Sequence, residues 1–224
     1  MRPSVVAIVP SAGSGKRLGL KTRKPFVLLK GKPLITYALQ TLNNSPFIDA
    51  IVIASEKSCV DRMSRIVRRF GFDKVVDVVA GGATRLESVA NCLQKIDGFF
   101  DVVLIHDGAR PFLEEAIIKR SISLAERFGS CVVAVQESDT VKYTAGGDFI
   151  QKTLDRKHIY RAQTPQVFRR ELLIEAYRKR GVKNFTDDSS LVESLGKKVK
   201  ILEGSYKNIK ITTKEDLKLA EVLL

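Results

Sequence analysis

Five short runs of β-branched and other apolar residues punctuate the chain: Val5 to Val9, Ile51 to Ala54, Val75 to Ala80, Val102 to Ile105 and Cys131 to Val135. Each is almost continuously hydrophobic rather than alternating, the pattern of strands covered on both faces. Helical periodicity fills the gaps. Pro33 to Leu42 has proline at an initial position, and Glu114 to Phe128 forms a second stretch. In a third, Thr84 to Ile96, the residues Leu86, Val89, Ala90, Leu93 and Ile96 share one face. Thr84-x-x-Glu87 is a capping signature at the start of that stretch, and a further helix is read around Arg62, Arg65, Arg68 and Arg69. Strands alternating with helices of this length predict an α/β fold, a mostly parallel sheet in a three-layer α/β/α sandwich.

The alternation changes after about residue 136. Gln136 to Arg161 carries short polar strand-like pieces around the turn signal Ala145-Gly146-Gly147-Asp148, which reads as a hairpin excursion. Such an arm exposes sheet edge, to be covered by a partner chain or by folding back on its own subunit. Asn208 to Thr212 reads as a strand, followed by Thr213 capping a helix from Lys214 to Leu224. With no repeats, linkers or low-complexity tracts, the expectation is one domain over 1–224, with 137–161 as a β-arm subdomain.

Composition narrows the function. In a chain of 224 residues there is room for one large domain but not for two full-sized enzymatic ones. No apolar run approaches the roughly 18 to 20 residues that span a bilayer, so no membrane partner is expected. The net charge of +13 is unevenly spread: eight basic residues and no acids precede Asp49. That bias implies an anionic partner: a nucleic acid, an acidic surface, or a small substrate carrying several phosphates. A nucleic-acid-binding module interleaves basic residues with exposed aromatics, whereas the 11 Phe and 5 Tyr here fall mostly in apolar, core-like runs, so no nucleic-acid partner is expected. Cys59, Cys92 and Cys131 lie far apart and form no C-x-x-C pair, which with no signal-peptide pattern at the N-terminus points to a reducing, cytoplasmic setting. His106 and His158 alone give no support for structural zinc.

The most informative stretch follows the first strand: Pro10-Ser11-Ala12-Gly13-Ser14-Gly15-Lys16-Arg17-Leu18. Small residues there let backbone N–H groups approach a phosphate closely. The Walker pattern fails because Arg17 follows Lys16, and the dinucleotide fingerprint fails at Leu18. What remains is a glycine loop with Lys16, Arg17, Lys21, Arg23 and Lys24 in or just beyond it, suited to a triphosphate. A glycine-rich turn with solvated lysines is the plainer alternative. Asp107, in His106-Asp107-Gly108-Ala109-Arg110-Pro111 after a central strand, is placed either to hold a divalent cation or to pair with Arg110. Gly81-Gly82-Ala83-Thr84-Arg85-x-x-Ser88 again ends a strand with glycines and opens a helix.

Together with Ala162-Gln163-Thr164-Pro165-Gln166, Thr186-Asp187-Asp188-Ser189-Ser190-Leu191 and Asn208-Ile209-Lys210-Ile211-Thr212, these motifs resemble, in order along nearly the whole chain, the 2-C-methyl-D-erythritol 4-phosphate cytidylyltransferases of the non-mevalonate isoprenoid pathway. The resemblance implies a Rossmann-like twisted sheet of the nucleotide-diphospho-sugar transferase type with a protruding β-arm. It also implies transfer of CMP from CTP to 2-C-methyl-D-erythritol 4-phosphate with Mg²⁺, in a homodimer joined through the arm. Arg17 and Lys24 match the pair that stabilises charge on the triphosphate, and Arg156 and Lys210 the pair that positions the attacking phosphate. Pro10 to Lys16, Gly82, Ala83, Ser88, Asp107 and Gly108 would bind the nucleotide, with Gly82, Ala83 and Ser88 reading cytosine. Asp107, Arg110, Thr140, Thr164 and Thr186 would line the substrate side with Arg156 and Lys210, Asp107 also lying near the magnesium. Asp187 and Asp188 are read as helix N-terminal residues. The chain departs from the family pattern at Arg23-Lys24-Pro25-Phe26, where Pro-Lys-Gln-Phe or Pro-Lys-Gln-Tyr is usual. It departs again at Ser11 and Gly108, each standing for an alanine and each expected to be tolerated, and at Tyr160-Arg161, which replaces the usual aromatic pair in the arm. Ribitol-5-phosphate cytidylyltransferase is the nearest alternative, though the Thr186 to Glu193 stretch looks more like the methylerythritol branch.

Overall fold

All five apolar runs form strands in the computed structural model, which describes residues 2–13, 15–19, 22–96, 99–181 and 185–224, and at position 16 the backbone alone. In chain order β1 (Val5–Ser11) leads through β2 (Leu28–Leu29) and β3 (Lys32–Pro33) to α1 (Ile35–Asn44). Then come β4 (Ala50–Ser55), α2 (Val60–Phe70), β5 (Val75–Ala80), α3 (Arg85–Leu93), β6 (Val102–Ile105), α4 (Glu115–Phe128) and β7 (Ser130–Gln136). The arm carries β8 (Lys142–Tyr143) and β9 (Lys152–Thr153). The chain ends with β10 (Tyr160–Arg169), α5 (Arg170–Lys179), α6 (Asp188–Glu193), β11 (Lys200–Glu203) and α7 (Lys214–Leu223).

Seven strands make the central sheet in the order β11-β7-β10-β6-β1-β4-β5. β10 runs antiparallel to both neighbours, and the other pairs are parallel. Because successive strand residues point to opposite faces, Val5, Ala7 and Val9 pack under α1, α2 and α4, while Val6 and Ile8 pack under α3, α5 and α6. Burying both faces of each central strand gives the three-layer sandwich its stability, at about 1.5–3 kcal/mol per large aliphatic side chain removed from water.

The differences from expectation have local causes. α1 begins two residues late because Pro33 is taken into the β2·β3 ladder opposite Leu28. Asn208 to Thr212 is not a strand. Asn208 N–H and Ile209 N–H close turns onto Ser205 and Lys207, and among the described residues one long-range backbone bond, Ile211 N–H to the Ala109 carbonyl at 2.9 Å, ties the segment down. Its alternation arises because Ile211 is sealed in a small cluster with Leu18, Leu29 and Ala220. Thr84 caps α3 by accepting from Glu87 N–H at 3.1 Å. The Glu87 carboxylate turns outward to the Ala83 N–H at 2.8 Å and so fixes the loop before the helix. Thr213 caps α7 with a full reciprocal box to Asp216.

Residues between β7 and β10 leave the sheet as the arm, where Lys142 pairs with Thr153 and Tyr143 with Lys152. Phe149 at its tip is 87% exposed. β4 and β5 extend the sheet on one side of β1, whereas β6 is laid on the other. The C-terminal ends of β1 and β6 therefore border the crevice where the strand order reverses, the place open α/β sheets offer a ligand.

Candidate active site

A pocket of about 480 Å³ opens at that crevice. Pro10, Ser11, Ala12, Gly13, Gly15 and Arg17 bring the glycine loop to it; Gly82 and Ala83 come from the loop before α3, Arg85 and Ser88 from the first turn of α3, and Asp107 and Gly108 from the end of β6. Lys24 and Lys210 complete it from segments outside the sheet. Ser14 and the Lys16 side chain lie outside the described residues.

Local structure explains each placement. Gly15 has φ of +70°, and a side chain there would bring its Cβ to 3.0 Å from Lys24 Cβ, so the glycine loop can lie directly on the Lys24 turn. That turn is a short 3₁₀ segment, Lys24–Phe26, in which the buried Phe26 ring carries the Arg62 guanidinium 4.2 Å from its centroid. The altered family motif thus still delivers its lysine. Burial, first, and then the charges of Lys210 and Arg17 hold the Lys24 ammonium below the usual lysine range. Three cations that repel one another in one pocket favour a polyanion between them.

Asp107 sits among cations. Its Oδ1 accepts from Arg85 Nε at 3.0 Å, its Oδ2 lies 2.7 Å from Lys210 Nζ, and Arg110 Nε is more distant at 3.9 Å. Burial opposes ionisation, but Arg85 and Lys210 outweigh it and keep the carboxyl well below the usual carboxylate range. Its backbone N–H donates to Thr164 Oγ1 at 3.0 Å, and the Thr164 hydroxyl is 3.1 Å from His106 Nδ1. His106 Nε2 is in turn 3.1 Å from the Arg110 carbonyl, which it can reach only as a donor. Burial lowers the His106 pKa to about 4, so the ring is neutral at pH 7 and holds its neighbours rather than moving protons.

Several residues named from the sequence lie apart from this pocket. Thr164 is buried beneath Asp107. Arg110 is also buried, and its Nη1 donates to the Asn208 carbonyl at 2.6 Å. Asn208 Nδ2 in turn donates to the Thr164 carbonyl at 2.8 Å, so the two residues clamp the segment that presents Lys210. Thr140 and Arg156 stand exposed in the arm, where Arg156 Nη1 donates to the Ser138 carbonyl at 2.7 Å. Thr186 is exposed before α6. Asp187 caps α6 by accepting from Ser190 N–H at 3.1 Å. Asp188 opens the same helix, but its carboxylate turns inward to Arg85 and Tyr177. Ser88 Oγ accepts from Gly82 N–H at 3.1 Å and donates to the Thr84 carbonyl at 2.9 Å, bracing the loop that would face a base. Arg85, to which pattern gave no role, is the principal partner of Asp107.

A sheet of this topology, with cations gathered over a glycine loop at its switch point, belongs to a nucleotidyltransferase. Relatives sharpen the class. The sequence profile of the family "IspD: 2-C-methyl-D-erythritol 4-phosphate cytidylyltransferase" matches residues 5–224, and the chain belongs to that family. It is 45% identical to the 2-C-methyl-D-erythritol 4-phosphate cytidylyltransferase of Geotalea uraniireducens, over 98% of this chain and 96% of that one. With the enzyme of the same name from Syntrophus aciditrophicus the identity is 43%, over 100% of this chain and 97% of the other. The crystal structure of 4-diphosphocytidyl-2C-methyl-D-erythritol synthase from Anaerococcus prevotii superposes with a TM-score of 0.89 at 31% identity, covering 99% of this chain and 96% of that chain. No helix among the described residues is long and apolar enough to cross a membrane.

Proposed function

We propose that the pocket transfers CMP from CTP to 2-C-methyl-D-erythritol 4-phosphate. An oxygen of the 4-phosphate attacks the α-phosphorus in line. The new P–O bond forms as the bond to the β,γ-pyrophosphate breaks, giving 4-diphosphocytidyl-2-C-methyl-D-erythritol and pyrophosphate. The observation that carries this reading is the convergence of Arg17, Lys24 and Lys210 on one pocket above the glycine loop. Two anions must be brought together, and fixed cations that already repel one another lower that cost most where charge builds up. The attacking phosphate monoester is largely dianionic at pH 7, so no strong base is called for.

The residues divide the work. Amides of the glycine loop and the side chains of Arg17 and Lys24 hold the triphosphate. The loop at Gly82 and Ala83, fixed by Glu87 and Ser88, offers backbone groups at set positions to distinguish cytosine from uracil. Lys210 holds the phosphate of the acceptor.

Mg²⁺ is compatible with a donor set of one carboxylate. Among the described residues no three His, Cys, Asp or Glu gather to hold an ion, so triphosphate oxygens would supply most of its ligands and Asp107 the protein's. Bound there it would withdraw charge from the triphosphate.

The protein acts as a cytoplasmic homodimer joined through the arm. Support comes from the exposed Phe149 and Ile150 at the arm tip, and from the position of Arg156 and Thr140 on the arm rather than in their own subunit's pocket.

Single-turnover release of pyrophosphate from each nucleoside triphosphate, with 2-C-methyl-D-erythritol 4-phosphate or ribitol 5-phosphate present, tests nucleotide and acceptor together. CTP with the methylerythritol phosphate is expected to react fastest; a faster reaction with ribitol 5-phosphate would overturn the assignment. Arg156→Ala is expected to raise KM for the sugar phosphate about tenfold or more and to leave KM for CTP within about twofold. Equal losses for both substrates would remove Arg156 from the acceptor side.

A further inference from the structure

The Arg85 guanidinium is held by two carboxylates from distant parts of the chain. Nε donates to Asp107 Oδ1 at 3.0 Å and Nη1 to Asp188 Oδ2 at 2.6 Å. Asp188 is fully buried. Its other oxygen accepts from the Tyr177 hydroxyl at 2.6 Å, and its backbone N–H donates to Gln166 Oε1 at 3.1 Å, which ties the start of α6 to β10. A line of contacts thus runs from Tyr177 in α5 through Asp188, Arg85 and Asp107 to Lys210 at the pocket, where Nζ stands 2.7 Å from Asp107 Oδ2.

Two carboxylates and two cations alternate along this line, and the planar fork of arginine is what allows one residue to meet both carboxylates in fixed directions. Lys210 has competing partners, Asp107 in the empty site and the phosphate of the acceptor in the loaded one. With Arg110 no nearer than 3.9 Å, loss of Lys210 to a phosphate would, without Arg85 and before any cation is held there, leave a buried carboxylate with no charged donor in hydrogen-bond reach, a costly state. Arg85 removes that obstacle.

We propose that Arg85 is a positioning residue acting through Asp107: anchored on Asp188 and Tyr177, it stays as the standing counter-ion of Asp107 and so releases Lys210 to the acceptor's phosphate. The proposal rests on the reaction described above and assigns Arg85 an effect on one substrate rather than on both. Substrate phosphate and Asp107 are rivals for Lys210, and Arg85 sets the terms of that competition.

Arg85→Gln alone would leave Asp188 buried without its cation and could unfold the chain, so the test uses Arg85→Gln with Asp188→Asn, which deletes one charge of each sign and leaves Tyr177 an acceptor. This double variant is expected to fold, by circular dichroism and thermal melting, with KM for 2-C-methyl-D-erythritol 4-phosphate raised about tenfold or more and KM for CTP changed less than about threefold. Arg85→Lys in the same Asp188→Asn background has only Asp107 to reach, and is expected to restore the acceptor KM to within about threefold of the wild type. Calorimetric titration with inorganic phosphate reads the availability of Lys210 without turnover, and binding is expected to weaken in the Gln variant and return in the Lys variant. A folded Gln variant with both KM values unchanged, a parallel loss for CTP, or failure of lysine to restore the acceptor would each overturn the proposal. So would a Gln variant that does not fold, because Arg85 would then be a scaffold residue. A wild-type enzyme inactive with these two substrates would overturn the reaction instead, with the phosphate titration still deciding the role of Arg85.

Discussion

Lys24→Ala is expected to turn over CTP and 2-C-methyl-D-erythritol 4-phosphate about a hundred- to a thousandfold more slowly, a loss of about 3 kcal/mol of transition-state stabilisation if Lys24 acts as other preorganised charge donors do. The Lys24 ammonium is half-buried beside Lys210 and Arg17, and those surroundings lower its pKa. Its charge is therefore costly in the empty pocket and becomes favourable as negative charge grows on the leaving pyrophosphate, the condition for an effect on kcat rather than on binding alone. The direction of the shift sets a pH dependence as well. A lysine is charged below its pKa and neutral above it, so in the free enzyme the cation is lost at lower pH than for an ordinary lysine. The alkaline limb of kcat/KM for CTP is expected to begin correspondingly early. Lys24→Arg, which stays charged, is expected to move that limb upward even if its kcat is lower. Unchanged kcat in Lys24→Ala, measured by single-turnover quench, would remove the residue from the chemical step.

The second large effect concerns stability. A Cβ added at Gly108 would overlap Ser11 Oγ and Ile35 Cδ1 and come within 3.2 Å of Val9 Cγ1. Ile35 is fully buried, and the Ser11 hydroxyl is enclosed without a hydrogen-bond partner among the described residues, so neither yields without disturbing the end of β1 or the start of α1. Gly108→Ala is expected to cost about 2–3 kcal/mol through overpacking, seen as a fall in Tm of roughly 5–10 °C. Activity should fall with it, since Asp107 is the adjacent residue. Ser11→Ala with Gly108→Ala should recover part of the loss, and adding Ile35→Val most of the rest. A Gly108→Ala protein melting at the wild-type temperature would show that this corner is looser than its contacts imply. Ser11 and Gly108, each unremarkable as a small residue, are thus in direct contact, and the serine hydroxyl together with the Ile35 methyl occupies the room an alanine methyl at 108 would need.

What could be read from the chain depended on how locally each feature is encoded. β1, β4, β6 and β7 announce themselves because strands buried on both faces must be apolar almost throughout. β5 reads the same way but is the edge strand of the sheet, with Val76 64% exposed and Asp77 within it, so its apolar run does not mean cover on both faces. β10 does not announce itself, although it lies mid-sheet: Arg161, Gln163, Thr164, Pro165 and Gln166 break any hydrophobic run, and its register against β7 shifts between Ala162 and Gln166. Two of these residues serve the site, Thr164 beneath Asp107 and Gln166 at the start of α6. β11 lies at the sheet edge with only Leu202 buried, too little for a pattern to show. Within the pocket, the glycine loop was legible because its backbone needs small residues in sequence, and Lys24 because it follows closely. Arg85 was not, since its partners Asp107 and Asp188 stand 22 and 103 residues away and only the fold brings them together. Arm residues such as Arg156 carry a role by resemblance that a single subunit's pocket does not display.

The contact between positions 11 and 108 also couples the end of β1 to the end of β6. A methyl at 108 and a hydroxyl at 11 compete for the same space beside Ile35, so the cost of each depends on which residue stands at the other. Positions 11, 35 and 108 therefore act as one packed unit at the floor of the pocket, and a change at one of them is read correctly only with the residues at the other two in view.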